Sequence, residues 1–425
     1  MNRRVVVTGM GTISPVGLNV STAWEALIAG KSGVGRITSF DPSALKTQIA
    51  AQVKGFDPTR FMDTKEARRL DPYIHYAWAA TVEALADSGL DLAHEDRERI
   101  GVIVGSAVGG IQTLLSQYDV LQQRGPRRLS PFFIPAMLVD SAGGQIAIQL
   151  GIRGPNMAVI SACATGTSAV GEAAEVVGRG DADIMIAGGA EAALVMLTVG
   201  GFDVMGAMST RNDNPEGACR PFDANRDGFL MGEGAAILIV EALDHALARG
   251  ARIYGEVLGY GGSADAYHMA APAENGEGAV VAMKLAIRKA GIEVEEIDYI
   301  NAHGTATKLN DKGETTAIKA VLGAHAYRVA ISSTKSMTAH LLGGAGTFEA
   351  LVCLKALNEG IIPPTINDET PDPECDLDYT PNVARRLPIR VALSNSFGFG
   401  GHNASIVLRR WVQPENAAVT GTAQG

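Results

Sequence analysis

Residues 159–171 read Val-Ile-Ser-Ala-Cys-Ala-Thr-Gly-Thr-Ser-Ala-Val-Gly, and the other informative segments of the chain are best understood around this stretch. The apolar residues from Met157 to Ile160 predict a short buried strand, and the small residues after them predict a tight turn and then a helix from about Cys163. A thiol at the start of a helix lies near free backbone N–H groups and the positive end of the helix dipole, which lower its pKa towards physiological pH. We therefore predict a nucleophile at Cys163, whereas a cysteine considered alone is more often a small buried hydrophobic residue.

The composition is that of a large globular protein. The 425 residues are 46% hydrophobic and include 50 glycines, which favours a closely packed α/β architecture. The net charge of −10 argues against general nucleic-acid binding, which needs a basic surface. No apolar run reaches the roughly 18 residues of a membrane helix, and no signal-peptide pattern is present. The four cysteines have no metal-like spacing, so we expect a reduced, cytoplasmic protein without a membrane span.

One segment imitates a calcium loop. Residues 223–228 read Asp-Ala-Asn-Arg-Asp-Gly, but the twelfth position of the loop is Gly234, where calcium binding needs a bidentate glutamate. Because that ligand is missing, the sequence argues against a calcium site here, and it predicts no certain metal site elsewhere.

The order of strands and turns in the first half of the chain recurs in the second. The first-half segments are residues 99–105, 157–171 and 184–191, and their counterparts are residues 297–304, 329–350 and 391–398. Such a repeat predicts two halves, residues 1–250 and 251–412, with parallel sheets whose strand ends converge on one central site. The small polar tail, residues 413–425, is predicted to be flexible.

Three ionisable residues of the second half follow predicted strands. His303 lies in Asn-Ala-His-Gly-Thr-Ala-Thr, and Lys335 and His340 lie in Ser-Thr-Lys-Ser-Met-Thr-Ala-His. Each of them alone is more simply interpreted as a structural histidine or a solvated lysine. If all these strand ends face one cleft, a thiol, two imidazoles and an ammonium group meet there, as a nucleophilic catalytic site requires.

The segments around Cys163, His303, Lys335 and His340, together with Asn-Ser-Phe-Gly-Phe-Gly-Gly at 395–401, resemble the β-ketoacyl-acyl-carrier-protein synthases. The resemblance extends over nearly the whole chain. It implies an α/β, thiolase-like fold with a duplicated five-layered α-β-α-β-α arrangement, and a homodimer.

Two further segments specify the resemblance. Pro-Pro-Thr-Ile-Asn at 363–367 and Cys-Asp-Leu-Asp-Tyr at 375–379 are similar to the elongating, type II condensing enzymes of fatty acid synthesis. The implied reaction is the decarboxylative Claisen condensation of malonyl-acyl-carrier protein with an enzyme-bound acyl thioester, which gives 3-oxoacyl-acyl-carrier protein. The resemblance implies no required cofactor, because phosphopantetheine arrives on the acyl carrier protein.

The resemblance also implies how the site works. Cys163 takes the acyl group, and the backbone N–H groups of Cys163 and Phe399 form the oxyanion hole. Neutral His303 and His340 stabilise the enolate formed from the malonyl group. Lys335 sets the electrostatics, holds the histidines by hydrogen bonds and keeps them neutral by its charge.

Supporting roles follow from the same resemblance. Thr305 and Thr307 contact the pantetheine arm, and Val108 lines the far end of the acyl pocket. Phe397 is a substrate-binding residue, and Phe399 is a gate that blocks the malonyl site until Cys163 is acylated. Glu349, Asn301 and Asn395 organise the site, and in some members of the family they accompany a structural monovalent cation. An exposed helix face docks the acidic carrier protein, and its residues are Lys65, Arg68 and Arg69.

Rival functions differ from this one at identifiable residues. A thiolase would carry a second catalytic cysteine near residues 394–397, where there is none, and a non-catalytic chain-length partner would lack Cys163. A polyketide ketosynthase that keeps all four site residues stays open. The sequence departs from the family pattern at Ala339, where glycine is usual, at Lys308, where proline is common, and at His402, where threonine is frequent.

Overall fold

The computed structural model describes residues 3–413, so residues 414–425 of the predicted flexible tail lie outside the described range. Within it the strands are β1 (Val5–Ile13), β2 (Gly35–Arg36), β3 (Ile49–Ala50), β4 (Ile100–Gly105), β5 (Asn156–Met157), β6 (Ile184–Glu191), β7 (Gly234–Ala242), β8 (Gly255–Ala264), β9 (Tyr299–Asn301), β10 (Ala330–Ser332), β11 (Ile361–Ile362), β12 (Arg385–Arg386), β13 (Val391–Gly398) and β14 (His402–Arg410). The α-helices of the same range are α1 (Val20–Ile28), α2 (Thr64–Ala67), α3 (Pro72–Ser88), α4 (Ile111–Arg124), α5 (Phe133–Met137), α6 (Ser141–Leu150), α7 (Thr165–Arg179), α8 (Met196–Val204), α9 (Leu243–Ala248), α10 (Glu277–Ala290), α11 (Lys308–Leu322), α12 (Lys335–Thr338) and α13 (Ala345–Glu359). None of these helices is long and apolar enough to cross a bilayer.

The main sheet contains two halves with the same topology. Its strand order is β10-β9-β13-β14-β8-β1-β7-β6-β4-β5, and a short pairing of β1 with β8 joins the halves. Counted within each half, the strands lie in the order third, second, fourth, fifth, first. The predicted duplication is therefore observed. The prediction of purely parallel sheets is wrong, because the fifth strand of each half, β7 or β14, pairs antiparallel with both its neighbours.

Helices cover both faces of each half sheet. α3 and α6 pack on the outer face of the first half, and α10 and α11 pack on the outer face of the second. Between the two halves lie α7 and α13, whose apolar residues belong to the central core. These layers form the predicted α-β-α-β-α arrangement, with the two central helices largely buried.

The central helices cross at matching Gly-Thr pairs. The Thr347 hydroxyl donates to the carbonyl oxygen of Gly166 at 3.0 Å. A Cβ at Gly166 would lie 2.6 Å from the backbone N of Thr347, and a Cβ at Gly346 would lie 2.5 Å from the backbone N of Thr167. Only glycine allows this approach. Because Cys163 lies two residues before the start of α7, the crossing fixes the position of the nucleophile turn.

Two local predictions are wrong. The stretch 157–160 is not a buried strand, since β5 ends at Met157, and Met157 and Ile160 are 46% and 54% exposed in the single chain. The reason is that β5 is the outermost strand of its half sheet. The helix predicted to carry Lys65, Arg68 and Arg69 is short: α2 ends at Ala67, and Pro72 starts a new helix, α3.

Candidate active site

Cys163 lies in a tight turn before α7. The turn is a short 3-10 helix that begins at Ala162, whose φ of +49° is a strained, left-handed conformation for alanine. The same turn precedes α13, where it begins at Leu342 with a φ of +48°. Gly343 holds the place of Cys163 there, so the second half keeps the turn without the nucleophile.

The end of β13 closes over the buried Cys163 thiol. A Cβ at Gly398 would lie 3.0 Å from the backbone N of Cys163, so glycine is needed for this contact. Burial raises the pKa of Cys163 to about 11, and the charge of Lys335 and the backbone N–H of Phe399 act in the opposite direction. The predicted pKa near physiological pH is therefore wrong for the resting thiol, because its removal from water outweighs the groups that stabilise the thiolate.

Two neutral imidazoles line the same cavity as the thiol. The rings of His303 and His340 lie 5.3 Å apart and nearly perpendicular, at 83°. Burial, and then the charge of Lys335, hold the pKa of both imidazoles well below the usual value. The Leu342 N–H donates to Nδ1 of His340 at 3.3 Å, which assigns the ring proton to Nε2. That Nε2 has no partner in the described part of the chain, so it is a free donor.

Lys335 and Glu349 form an ion pair inside the core. Nζ of Lys335 donates to the Glu349 carboxylate, and both side chains are buried. Burial raises the pKa of Glu349 to about 7, against the effect of the Lys335 charge. The predicted hydrogen bonds from Lys335 to the histidines are not found among the described residues, because the oppositely charged carboxylate engages the ammonium group. Lys335 acts on His303 and His340 through its charge.

Buried oxygen acceptors near this pair show whether the residues fit the structural cation that the resemblance implies. Oδ1 of Asn301 and Oε2 of Glu349 have no hydrogen-bond partner among residues 3–413, whereas Oδ1 of Asn395 accepts from the Ser405 hydroxyl at 2.8 Å. Oxygen acceptors of this kind suit a hard cation. The residues therefore fit a cation beside Asn301 and Glu349, but the side-chain oxygen of Asn395 is already engaged.

The cavity at the site has a volume of about 440 Å³. Its wall includes Thr305 and Thr307, whose hydroxyls lie 3.1 Å apart, together with Phe397 and the predicted gate residue Phe399. Val108 does not line this cavity, but it packs on the apolar cluster that contains Cys163.

Two buried carboxylates that support the site were not predicted from the sequence. Glu191 accepts from the Ser106 hydroxyl at 2.8 Å and from the backbone N–H of Gly343 at 3.1 Å, which connects the loop before α4 to the turn after His340. Glu314 accepts from the backbone N–H of His303 at 2.8 Å. A glutamate ending the otherwise apolar β6 was the available signal for Glu191, whereas Glu314 lies on a helix of mixed polarity that gave none.

The predicted docking residues are exposed, but they do not form one helix face. Lys65 lies on the four-residue α2, Arg68 follows its last residue, and Arg69 lies beyond it. The Arg69 guanidinium lies 4.4 Å from the centroid of the Phe132 ring, a cation–π contact. The three side chains are nonetheless cationic and exposed on a negatively charged protein.

The calcium-like segment is held by protein groups instead. The Asp223 carboxylate accepts from the backbone N–H groups of Glu369 and Thr370 at 2.8 and 2.7 Å. Arg226 donates to Asp372 at 2.5 Å, so the segment carries its own cation. No group of three or more His, Cys, Asp or Glu side chains suited to a metal occurs in the range 3–413.

Among the departures from the family pattern, Ala339 has the most direct structural effect. It precedes His340 with a φ of +52° and a ψ of −165°, a conformation that favours glycine. His402 is exposed at the start of β14, and Lys308 is exposed as the first residue of α11.

Comparison with known proteins agrees with this geometry. The N-terminal domain model of the β-ketoacyl synthases matches residues 2–246, and the C-terminal domain model matches residues 254–369. A 3-oxoacyl-[acyl-carrier-protein] synthase 2 from Coxiella burnetii is 50% identical over 408 residues, which cover 96% of this chain and 99% of that protein. The enzyme of the same name from Synechocystis is 50% identical over 409 residues, covering 96% and 98%.

Solved structures of ketosynthases have the same fold. A type II polyketide ketosynthase in complex with its acyl-carrier protein superposes with a TM-score of 0.90 at 35% identity, covering 97% of this chain and 100% of that chain. A β-ketoacyl synthase from Burkholderia phymatum gives a TM-score of 0.89 at 35% identity, covering 96% and 100%. On its motifs, its duplicated fold and these matches, the chain belongs to the β-ketoacyl synthase family.

Proposed function

We propose that the protein is an elongating 3-oxoacyl-acyl-carrier-protein synthase of fatty acid synthesis. It condenses an enzyme-bound acyl group with malonyl-acyl-carrier protein and releases carbon dioxide. One observation carries the proposal: the Cys163 thiol, the Phe399 N–H and two neutral imidazoles share one cavity, with the Lys335–Glu349 ion pair buried behind them.

In the first half-reaction the Cys163 sulfur attacks the carbonyl carbon of the carrier-bound thioester. A new carbon–sulfur bond forms, the bond to the pantetheine sulfur breaks, and the thiol proton leaves with the pantetheine thiol. The negative oxygen of the tetrahedral intermediate accepts from the backbone N–H groups of Cys163 and Phe399. One such donor contributes roughly 3–4 kcal/mol in a site closed to water.

In the second half-reaction the malonyl group loses carbon dioxide and its thioester becomes an enolate. The proton on Nε2 of His340 is available to the enolate oxygen, and His303 supplies the second donor. Imidazoles with depressed pKa values act here as neutral hydrogen-bond donors. The enolate carbon then attacks the acyl carbonyl, the bond to the Cys163 sulfur breaks, and the thiolate takes up a proton from solvent water.

Other residues position the substrates in this proposal. Thr305 and Thr307 line the route of the pantetheine arm, Phe397 contacts substrate, and Phe399 gates the malonyl site. Val108, which packs on the apolar cluster around Cys163, limits an acyl pocket beyond the cavity that holds the imidazoles. Lys335 and Glu349 set the charge behind the imidazoles. A monovalent cation beside Asn301 and Glu349 would neutralise part of the Glu349 charge without taking part in the chemistry.

The acidic acyl carrier protein is the proposed partner, and Lys65, Arg68 and Arg69 form its docking surface. The solved complex of a related ketosynthase with its carrier protein supports the choice of partner, and the three docking residues rest on the resemblance and their exposed positive charge. The proposal includes a cytoplasmic homodimer that pairs through β5, because β5 is an edge strand with apolar residues exposed around it. These exposed residues are Ile134, Leu138, Ile148, Met157 and Ile160.

The rival functions are less well supported. Curated 3-oxoacyl-acyl-carrier-protein synthases 2 match at 49–50% identity, whereas a type II polyketide ketosynthase and a ketosynthase/chain length factor among the solved structures match at 35% and 38%. A non-catalytic chain-length partner has no use for the buried nucleophile and its neutral imidazoles. Fatty acid elongation is therefore favoured.

Acylation of the protein tests the proposal. The parent, Cys163→Ser and a Cys219→Ser control are incubated with acyl-acyl-carrier proteins of graded chain length, and the acyl group is located by intact mass and peptide mapping. We expect Cys163 to be acylated in the parent and in the Cys219→Ser control. In Cys163→Ser we expect no acyl group on any cysteine sulfur. An acyl group on Cys219, Cys353 or Cys375 of the parent would contradict the assignment.

A further inference from the structure

Residues 303–309 form one wall of the cavity, from the imidazole of His303 to Lys308 at the surface. The exposed fraction of the residues along this segment rises from 3% for His303 and 6% for Thr305 to 64% for Leu309. Lys308 is exposed at the outer end and lines the mouth of the cavity. An extended ligand that reaches the site along this wall therefore passes Lys308 as it leaves the protein.

Lys308 is the one lysine or arginine among the described residues that line the cavity. It makes no ion pair with any residue in the range 3–413, whereas Lys312, one turn further along α11, pairs with Glu374 at 2.5 Å. Its ammonium group is thus the free cation of the cavity mouth.

The acidic residues at the mouth are engaged elsewhere. Asp265 accepts from the Asn403 side chain at 2.7 Å, and Asp227 lies 3.6 Å from Arg211. Neither carboxylate neutralises Lys308, so an anionic ligand group meets an unpaired cation there.

The position of Lys308 is not explained by the stability of α11. Lys308 is the first residue of that helix, where the helix dipole disfavours a cation. The helix is already capped, since the Thr307 hydroxyl accepts from the backbone N–H of Asn310. A lysine here is therefore better explained by what approaches from solvent.

Resting on the proposed function, we propose that Lys308 binds the phosphate of the phosphopantetheine arm. The arm ends in a thioester at Cys163, Thr305 and Thr307 border its middle, and its phosphodiester reaches the mouth. An ammonium group is a strong point-charge partner for a phosphate oxygen. Lys308 thereby fixes how far the arm enters the cavity and adds affinity that is independent of the carrier protein surface.

A pair of small thioesters isolates this contact. One probe is octanoyl-pantetheine, and the other is the methyl phosphodiester of octanoyl-4′-phosphopantetheine, which adds only the singly charged phosphate. The second-order rate constant for acylation of Cys163 is measured with each by intact mass, and their ratio reports the phosphate contact. Lys308→Ala is compared with Lys308→Arg and with Lys284→Ala, which removes an exposed lysine outside the cavity lining.

We expect Lys308→Ala to lower the ratio roughly three- to tenfold, as loss of a charge-assisted hydrogen bond near the surface does. Lys308→Arg should hold the ratio within about twofold, Lys284→Ala should leave it unchanged, and added salt should lower the ratio of the parent. If Lys308→Ala had the same ratio of acylation rate constants as the parent, the inference would be overturned. A lower acylation rate seen only with whole acyl carrier protein would also overturn it, since Lys308 would then contact the carrier surface. If the proposed function itself were wrong, neither probe would acylate Cys163 of the parent.

Discussion

Gly166→Ala tests whether the crossing of the central helices positions the nucleophile. The new methyl group would lie 2.6 Å from the backbone N of Thr347, 2.8 Å from its hydroxyl and 3.0 Å from the carbonyl oxygen of Gly343. An ordinary contact needs about 3.4 Å, so α7 and α13 must separate by roughly 0.8 Å in a layer packed at close to crystal density.

Overpacking of a core typically costs 1–3 kcal/mol. Because two of the atoms met by the methyl group belong to the backbone, we expect the free energy of unfolding to fall by about 3 kcal/mol. The shift moves the Cys163 turn, and a misplacement of about 1 Å can lower a rate by roughly 100-fold. Urea denaturation measures the first effect, and the rate of Cys163 acylation by an acyl thioester measures the second.

Gly201→Ala is the matched control, because Gly201 lies inside α8 and a Cβ there meets nothing within 4 Å. That variant should be unchanged or more stable by up to about 1 kcal/mol, the gain in helix propensity. If Gly166→Ala were as stable as the control and acylated at the parental rate, the argument from the helix crossing would be refuted.

Four further predictions follow from particular contacts. Burial raises the pKa of Glu233 to about 7, so its protonated form favours the folded state; this stabilisation is complete below about pH 4.5 and is lost as the pH rises through 7. Urea titrations across this range should therefore show a pH-dependent loss of stability that is smaller by about 3 kcal/mol in Glu233→Gln than in the parent, because the other buried carboxylates contribute equally to both. The double substitution Lys335→Met with Glu349→Gln removes the charge that helps to depress the pKa of both imidazoles. The pH below which the rate of malonyl decarboxylation falls should therefore be higher than in the parent. An unchanged pH profile of that rate would contradict this coupling. Charge reversal at Lys65, Arg68 and Arg69 should raise the KM for carrier-bound substrate, spare a small thioester and be mimicked by salt, whereas equal losses with both substrates would argue against docking. Ala339→Gly should raise the free energy of unfolding by about 1 kcal/mol by relieving the left-handed strain, and a lower stability would show that the strain is not stored there.

The sequence determined the fold and the composition of the site. Apolar strands that end in glycine turns are local patterns, and β6 and β13 begin and end at the predicted residues. The duplication was visible because the same order of such patterns occurs twice. The prediction that equivalent strand ends face one cleft grouped Cys163, His303 and His340, and the structure shows that all three line one cavity.

Only the tertiary structure decided the electrostatic state of these residues. The pKa of Cys163, the partner of Lys335 and the ring proton of His340 depend on which distant groups enclose each side chain, and the pattern of the surrounding sequence carries no such information. The sheet order likewise left Met157 and Ile160 exposed in the single chain, since a strand's apolar composition does not tell whether it lies at the edge. Glu191 and Glu314 became recognisable only when the backbone N–H groups they accept from were in place. Burial multiplies the strength of each of these interactions, and burial is a property of the assembled fold.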